Sequence, residues 1–193
     1  MRARGASWWW LAFAAFPACA QNIYRLDPVS TTISFNIRHF GVLWVSAHFP
    51  DFSGRFVLDR RGPSSRVDVS VQMASIDCSD QRWNERLRSA EWLDVKRYPQ
   101  MTFHADQVDF DGDGRALAHG QLSLHGLTRT VGLEITQLNC APQPSRSQRC
   151  SFEAHTRVKR SDYDIPHGFW TGGDQVDIAI SGVGSSSVGG ADK

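Results

Sequence analysis

Two-residue alternation of apolar and polar side chains recurs along this chain, and it points to strands rather than helices. Ile33, Phe35 and Ile37 alternate with Thr32, Ser34, Asn36 and Arg38. Val67, Val69, Val71 and Met73 alternate with Asp68, Ser70 and Gln72, and the pattern returns in Val131–Leu133–Ile135 and in Val176–Ile178–Ile180. Successive strand side chains point to opposite faces, so each segment has one apolar face to bury. Stretches 43–49, 54–59, 101–110, 116–124 and 151–158 are further strand candidates, separated by turn chemistry such as Asp-Gly-Asp-Gly at 111–114 and His-Gly at 125–126. Eight or more antiparallel strands of this kind predict a closed barrel or a sandwich, because closure leaves no edge exposed.

One segment breaks the pattern. Ser79 is placed to cap a helix over about 80–89, with Trp83 and Leu87 one turn apart on one face and Trp92 and Leu93 extending an apolar lid. The Ser/Gly-rich tail 184–193 reads as disordered. No long internal repeat or linker divides the rest, so 21–183 is expected to be one domain.

At the amino end, Arg2 and Arg4 precede a short apolar run from Trp8 to Phe16 and then Ala18-Cys19-Ala20. That order is a signal peptide over 1–20 with cleavage before Gln21, and the run falls short of the ~20 residues a spanning helix needs. Acylation at Cys19 is the less favoured alternative; both readings export the chain to the periplasm. Removing Arg2 and Arg4 from the 21 basic residues leaves 19 against 20 acidic ones, a net charge of −1. Such a surface argues against nucleic acid as a partner. An oxidising compartment permits disulfides. Cys140 and Cys150 flank a polar stretch with two prolines and are placed to pin the ends of one hairpin, which leaves Cys78 reduced.

On the parity assigned to the interior, Phe35, Phe56, Met101 and Phe103 occur with the small residues Ala116, Ala118, Gly120, Ala154 and Thr156. Small inward residues leave space that a packed barrel would fill, so periodicity alone allows either a dry core or a ligand cavity.

Signals for chemistry are thin. Seven histidines are scattered with no metal-ligand spacing, so no metal is expected. Parity turns His104 and His155 outward and His39 inward. Asp109 to Gly114 imitates the start of a calcium loop, but Gly120 sits where the bidentate Glu belongs, so it reads as a hairpin turn. No nucleophile motif or cofactor motif is present. Arg157, Lys159 and Arg160 form a basic cluster, either a solvated strand end with Asp162 as its partner or, through Arg160, a contact for a ligand head group.

The blocks Tyr24-Arg-Leu-Asp27-Pro28, His39, Gly41 and Phe52-Ser53-Gly54 resemble the amino-terminal half of a YceI-like domain. Ser75-Ile76-Asp77, Arg86-Leu87-Arg88-Ser89, Tyr98-Pro99, Gly120 to Arg129 and Lys159-Arg160-Ser161-Asp162-Tyr163 continue the resemblance in order. Asp164 departs from it, standing where that family commonly has glycine. The Gly-x-Trp signature of an ordinary lipocalin is missing near the first strand, and Gly168-Phe169-Trp170 has that form at the wrong end of the chain. The resemblance implies an all-β fold, an extended eight-stranded antiparallel lipocalin-like barrel with a short helix at one end. It also implies a binding protein rather than an enzyme, holding a polyisoprenoid, quinone or fatty-acyl chain inside. The expected contacts are Ile33, Phe35, Ile37, His39, Phe56, Val67, Val69, Met101, Phe103, Leu122, Leu124 and Ile178. Transient contact with the membrane or a membrane-bound respiratory protein, and a homodimer, are further expectations. The alternative is a small hydrolase or isomerase pairing His39 with Asp27 or Asp162.

Overall fold

The computed structural model of the protein describes residues 22–39, 43–60, 62–144, 147–168 and 172–186. The signal segment with Cys19, the tail from 187 and Gly168-Phe169-Trp170 beyond its first residue lie outside the described residues, as does the His39 side chain. Ten strand segments follow one another: β1 (Ile23–Leu26), β2 (Thr32–His39), β3 (Leu43–His48), β4 (Phe52–Val57), β5 (Arg66–Gln72), β6 (Gln100–Phe110), β7 (Ala116–Leu124), β8 (Leu127–Pro142), β9 (Gln148–Lys159) and β10 (Gln175–Ser186). One helix, α1 (Gln81–Arg88), lies between β5 and β6.

These ten segments make eight staves. β1 and β2 lie end to end along β10, with Tyr24 opposite Ser186 and Ile37 opposite Val176. β4 and β3 continue one another in the same way against β1 and β2. The break between β1 and β2 is a turn in which the Asp27 carboxylate accepts from the Val29 amide at 3.1 Å and the Ser30 hydroxyl at 2.8 Å. All pairings are antiparallel, and β1 against β10 closes the ring. A stacked pair, Tyr24 on Phe56 with centroids 4.9 Å apart, covers the closing seam from inside.

Two bulges, between Ala105 and Gln107 and between Ile135 and Gln137, reset the alternation so that Val108 and Leu138 still face inward. The His125-Gly126 dipeptide joins β7 to β8 with both residues at positive φ, the two-residue turn whose twist suits a hairpin. Asp111 to Gly114 is likewise a turn: the Asp111 carboxylate accepts from the amides of Asp113 and Arg115, as the reading against a calcium loop expects. The Cys140–Cys150 disulfide joins directly paired residues of β8 and β9, and the strands run on past it to Pro142 and Gln148. The whole 141–149 stretch is therefore not loop. Cys78 is free.

Several expectations need correction. The helix cap is Asp80, whose carboxylate accepts from the amides of Arg82 and Trp83; Ser79 has φ 64° and cannot adopt the extended cap conformation. Trp83 is exposed and packs edge-on against Trp92, so Leu87 alone of that pair faces the barrel. Residues 184–186 are ordered strand rather than disordered tail, because their small side chains let β10 pass under Phe56 and Tyr24; a Cβ on Gly184 would collide with the Phe56 ring. Asp164 occupies the left-handed region at φ 52°, ψ 31°, which Asp tolerates better than most residues.

Candidate functional site

Inward-facing residues of the staves enclose apolar space in three stacked chambers. The lowest, about 60 Å³, lies among Leu26, Phe56, Val67, Leu133, Leu138 and Phe152. A central one of about 40 Å³ is bounded by Val69, Met101, Phe103, Leu122, Thr156 and Ile178. It shares Ile33, Val69, Leu133 and Ile180 with the lowest. The uppermost, about 100 Å³, lies between the barrel and α1, among Phe35, Ile37, Phe49, Leu87, Trp92 and Leu124.

Aromatic rings explain the partitions. Small residues do face inward, as parity requires: Ala118 is fully buried and Ala116, Gly120 and Ala154 nearly so. Their space is partly taken by neighbours. The Phe103 ring lies over Gly120, where a Cβ would come within 2.5 Å of the ring and 2.6 Å of the His104 carbonyl. The choice between dry core and cavity thus resolves into both: packed partitions with small apolar chambers between them.

Of the twelve nominated contacts, eleven border a chamber. Phe56 and Val67 border the lowest; Ile33 and Val69 border the lowest and central; Met101, Phe103, Leu122 and Ile178 border the central one. Phe35, Ile37 and Leu124 border the uppermost. His39 ends β2 opposite Leu43, and its side chain is outside the described residues. Sequence reasoning did not nominate Leu133, Ile135 or Ile180, although their parity marked them. In the sequence Leu87 and Trp92 mark an apolar lid, and Tyr163 belongs to the motif at 159–163.

Arg160 is not a solvated strand end. It is 3% exposed, its guanidinium lies over the Trp92 ring at 5.2 Å, and Nη1 donates to the Gly173 carbonyl at 3.4 Å. Burial pushes its pKa down to about 10 against the pull of Asp174, so it remains charged at neutral pH. The expected partner Asp162 is exposed. Arg157 points outward and pairs with Asp177. Tyr163 is 1% exposed, and burial pushes its phenol up to about 12, with Asp162 adding to the rise. Cys78 borders the uppermost chamber, its Sγ 3.1 Å from Asn84 Oδ1.

Three histidines pair with carboxylates on the outside, while His125 is half-buried with Nδ1 2.9 Å from the Tyr163 carbonyl. His104 lies 2.6 Å from Asp68, His155 3.0 Å from Glu134 and His119 3.1 Å from Asp109. Among the described residues no group of three or more His, Cys, Asp or Glu is arranged to hold a metal. Asp27 precedes β2 and His39 ends it, so roughly 23 Å of strand separates them at about 3.3 Å per residue. That pair is not within acid–base reach, and the Asp27 carboxylate is already engaged in its own turn.

The YceI-like domain model matches residues 24–183. Protein YceI of Escherichia coli O17:K52:H18 is 33% identical over 174 residues, covering 89% of this chain and 90% of that protein. Protein YceI of Salmonella arizonae is 33% identical over 161 residues, covering 82% and 84%. Among solved structures, Burkholderia cenocepacia BcnA superposes with a TM-score of 0.70 at 23% identity, covering 82% of this chain and 98% of that one. A polyisoprenoid-binding domain from Saccharophagus degradans, implicated in plant cell wall breakdown, superposes with a TM-score of 0.63 at 15% identity, covering 85% and 98%. The structural likenesses speak to the fold; the matched domain and the sequence relatives show that the chain belongs to the YceI-like family.

Proposed function

We propose that this protein is a periplasmic carrier that holds a long apolar lipid, a polyisoprenoid, quinone or fatty-acyl compound, inside its barrel, and that it performs no catalysis. One observation carries the reading: three stacked chambers lined almost wholly by hydrocarbon, in a barrel whose polar pairs are on the outside. A chain threaded through them gains roughly 0.8 kcal/mol per methylene buried, and in bulk water that same chain is insoluble. The polyisoprenoid-binding relative from Saccharophagus degradans supports the ligand class.

Export is supported by the basic-then-apolar order of residues 2–20 and by the Cys140–Cys150 disulfide, a bond rare in reducing cytosol. Soluble release after Ala20 is favoured over acylation at Cys19. Delivery requires the barrel to meet a membrane or a membrane-bound respiratory protein, and a homodimer is part of the same reading. No observation favours the acid–base alternative. Organic extraction of protein purified from an envelope, followed by mass spectrometry, tests the proposal. A stoichiometric prenyl or acyl lipid is the expected result; lipid-free protein that still cannot take up such lipids when offered would overturn it.

A further inference from the structure

The barrel wall is not continuous. Pairing between β8 and β9 runs from Pro142 opposite Gln148 up to Glu134 opposite His155 and stops there. Above that point β8 pairs only with β7, and β9 only with β10. The strands therefore part over Leu127–Leu133 on one side and 156–159 on the other. Backbone groups on the facing edges have no strand between them.

A groove of about 1050 Å³ occupies this gap on the outside. Its floor includes Ile178, Val131 and Thr156, residues that also bound the central chamber. Ile178 belongs to the inward face of β10, so a groove that reaches it from outside passes between β8 and β9. Higher up, Val158 and Tyr163 border both the groove and the uppermost chamber. Tyr163 ends the single helical turn Arg160–Tyr163 that follows β9, and its ring stands between the two spaces. Its Oη is buried and has no hydrogen-bond partner among the described residues. A buried hydroxyl without a partner is destabilising, and such groups are uncommon in native proteins.

We infer that the gap between β8 and β9 holds the polar end of a bound amphiphile, whose hydroxyl or carbonyl oxygen accepts the hydrogen bond of Tyr163 Oη while its apolar chain runs into the chambers. The inference rests on the carrier reading above and adds to it where the ligand's head lies and what chemistry the head has. A neutral oxygen fits better than a phosphate. The phenol is held protonated and so is a donor. Two basic side chains along the groove are already paired, Arg157 with Asp177 and His155 with Glu134, while Arg129 and Lys159 line it as well. An ionised head drawn against a buried phenol would lose its water for a single hydrogen bond.

Binding of geranylgeraniol, of the matching hydrocarbon without its hydroxyl, and of geranylgeranyl phosphate to wild type and Tyr163→Phe tests this. Phenylalanine keeps the ring and removes only Oη. The expected result is about tenfold weaker binding of the alcohol by the variant, the size of one buried hydrogen bond, with the hydrocarbon unchanged within about twofold. Equal losses for all three, no loss for any, or a loss confined to the phosphate overturns the inference while leaving the carrier reading intact. Failure of wild type to bind any of the three overturns this inference, and failure to bind a quinone and a fatty acid of like length as well overturns the carrier reading. A geranylgeraniol analogue with a photoreactive diazirine beside the hydroxyl locates the head independently of the variant. Adducts on 127–133 or 156–163 support the gap; adducts confined to Val45, Leu87 and their neighbours at the α1 end refute it.

Discussion

Replacing Phe103 by aspartate tests whether the chambers are dry. Phe103 sits on β6 between Val69 and Leu122, and among the residues bounding its chamber only Thr156 carries a polar side-chain atom. A carboxyl there has no cation to pair with and at most the Thr156 hydroxyl as a donor, so the folded protein holds it protonated until well above its ordinary range. Raising that pKa from about 3.9 to about 7 amounts to about 4 kcal/mol at neutral pH, a large part of the roughly 5–15 kcal/mol that keeps a domain folded. The sign with pH follows from which state ionises first. Because the unfolded carboxyl ionises at the lower pH, the penalty is absent below about pH 4, grows as pH rises, and levels off above the raised folded value. Phe103→Asn loses the same ring without a titrating group and serves as the reference. Urea unfolding of both variants between pH 4 and 7.5 should show equal stabilities at the acid end and a gap of several kcal/mol at the neutral end. A gap that does not change with pH means that water reaches position 103, and the dry-chamber argument fails.

Three further outcomes follow from local geometry. Converting Cys140 and Cys150 to serine removes a cross-link over a sequence separation of 10 and should lower stability by about 2–3 kcal/mol, read by denaturant unfolding; thiol labelling of unreduced, unfolded wild type should modify Cys78 alone. Asp80→Ala removes the acceptor for two amides at the start of α1 and should destabilise that helix by about 1 kcal/mol, seen as faster hydrogen exchange over 81–88. The Asp68 carboxyl is pushed up by partial burial but held below its usual range by hydrogen bonds from His104 and Arg55. Its stabilising effect is therefore full above the unfolded value near pH 4 and lost as pH falls through the depressed folded value. Asp68→Asn should be less stable than wild type at pH 6 and converge with it as pH falls through the depressed folded value, measured by thermal unfolding from pH 6 into the acid range.

How much was legible in the sequence depends on which forces shape each element. β7 was readable to the residue, because Ala116, Ala118, Gly120, Leu122 and Leu124 alternate without interruption between two clear turns. β1 was not, since four residues carry too little periodicity to separate a strand from a loop, and only its pairing with Phe56 and Ser186 defines it. Residues 184–186 failed for the opposite reason: glycine and serine read as disorder in isolation but are what a strand needs beneath two aromatic rings. The helix cap moved from Ser79 to Asp80 because both side chains can cap, and the left-handed backbone at Ser79 decides between them. Within the site, period two identified the lining residues because a barrel has only an inside and an outside. The burial of Arg160, the Phe103 partition over Gly120 and the parting of β8 from β9 depend on contacts between segments distant in sequence, which no local pattern records.

A carrier of this kind draws its affinity from burying the chain. Titration of prenyl alcohols of increasing length into the lipid-free protein measures this directly. Affinity should climb with each added isoprene unit, by up to about 0.8 kcal/mol per buried carbon, and then plateau once the chambers are filled. Arg160→Ala should weaken the whole series by a modest, length-independent factor. Affinity that is flat with length but collapses on loss of Arg160 would mean that the protein recognises a head group, and would contradict the account.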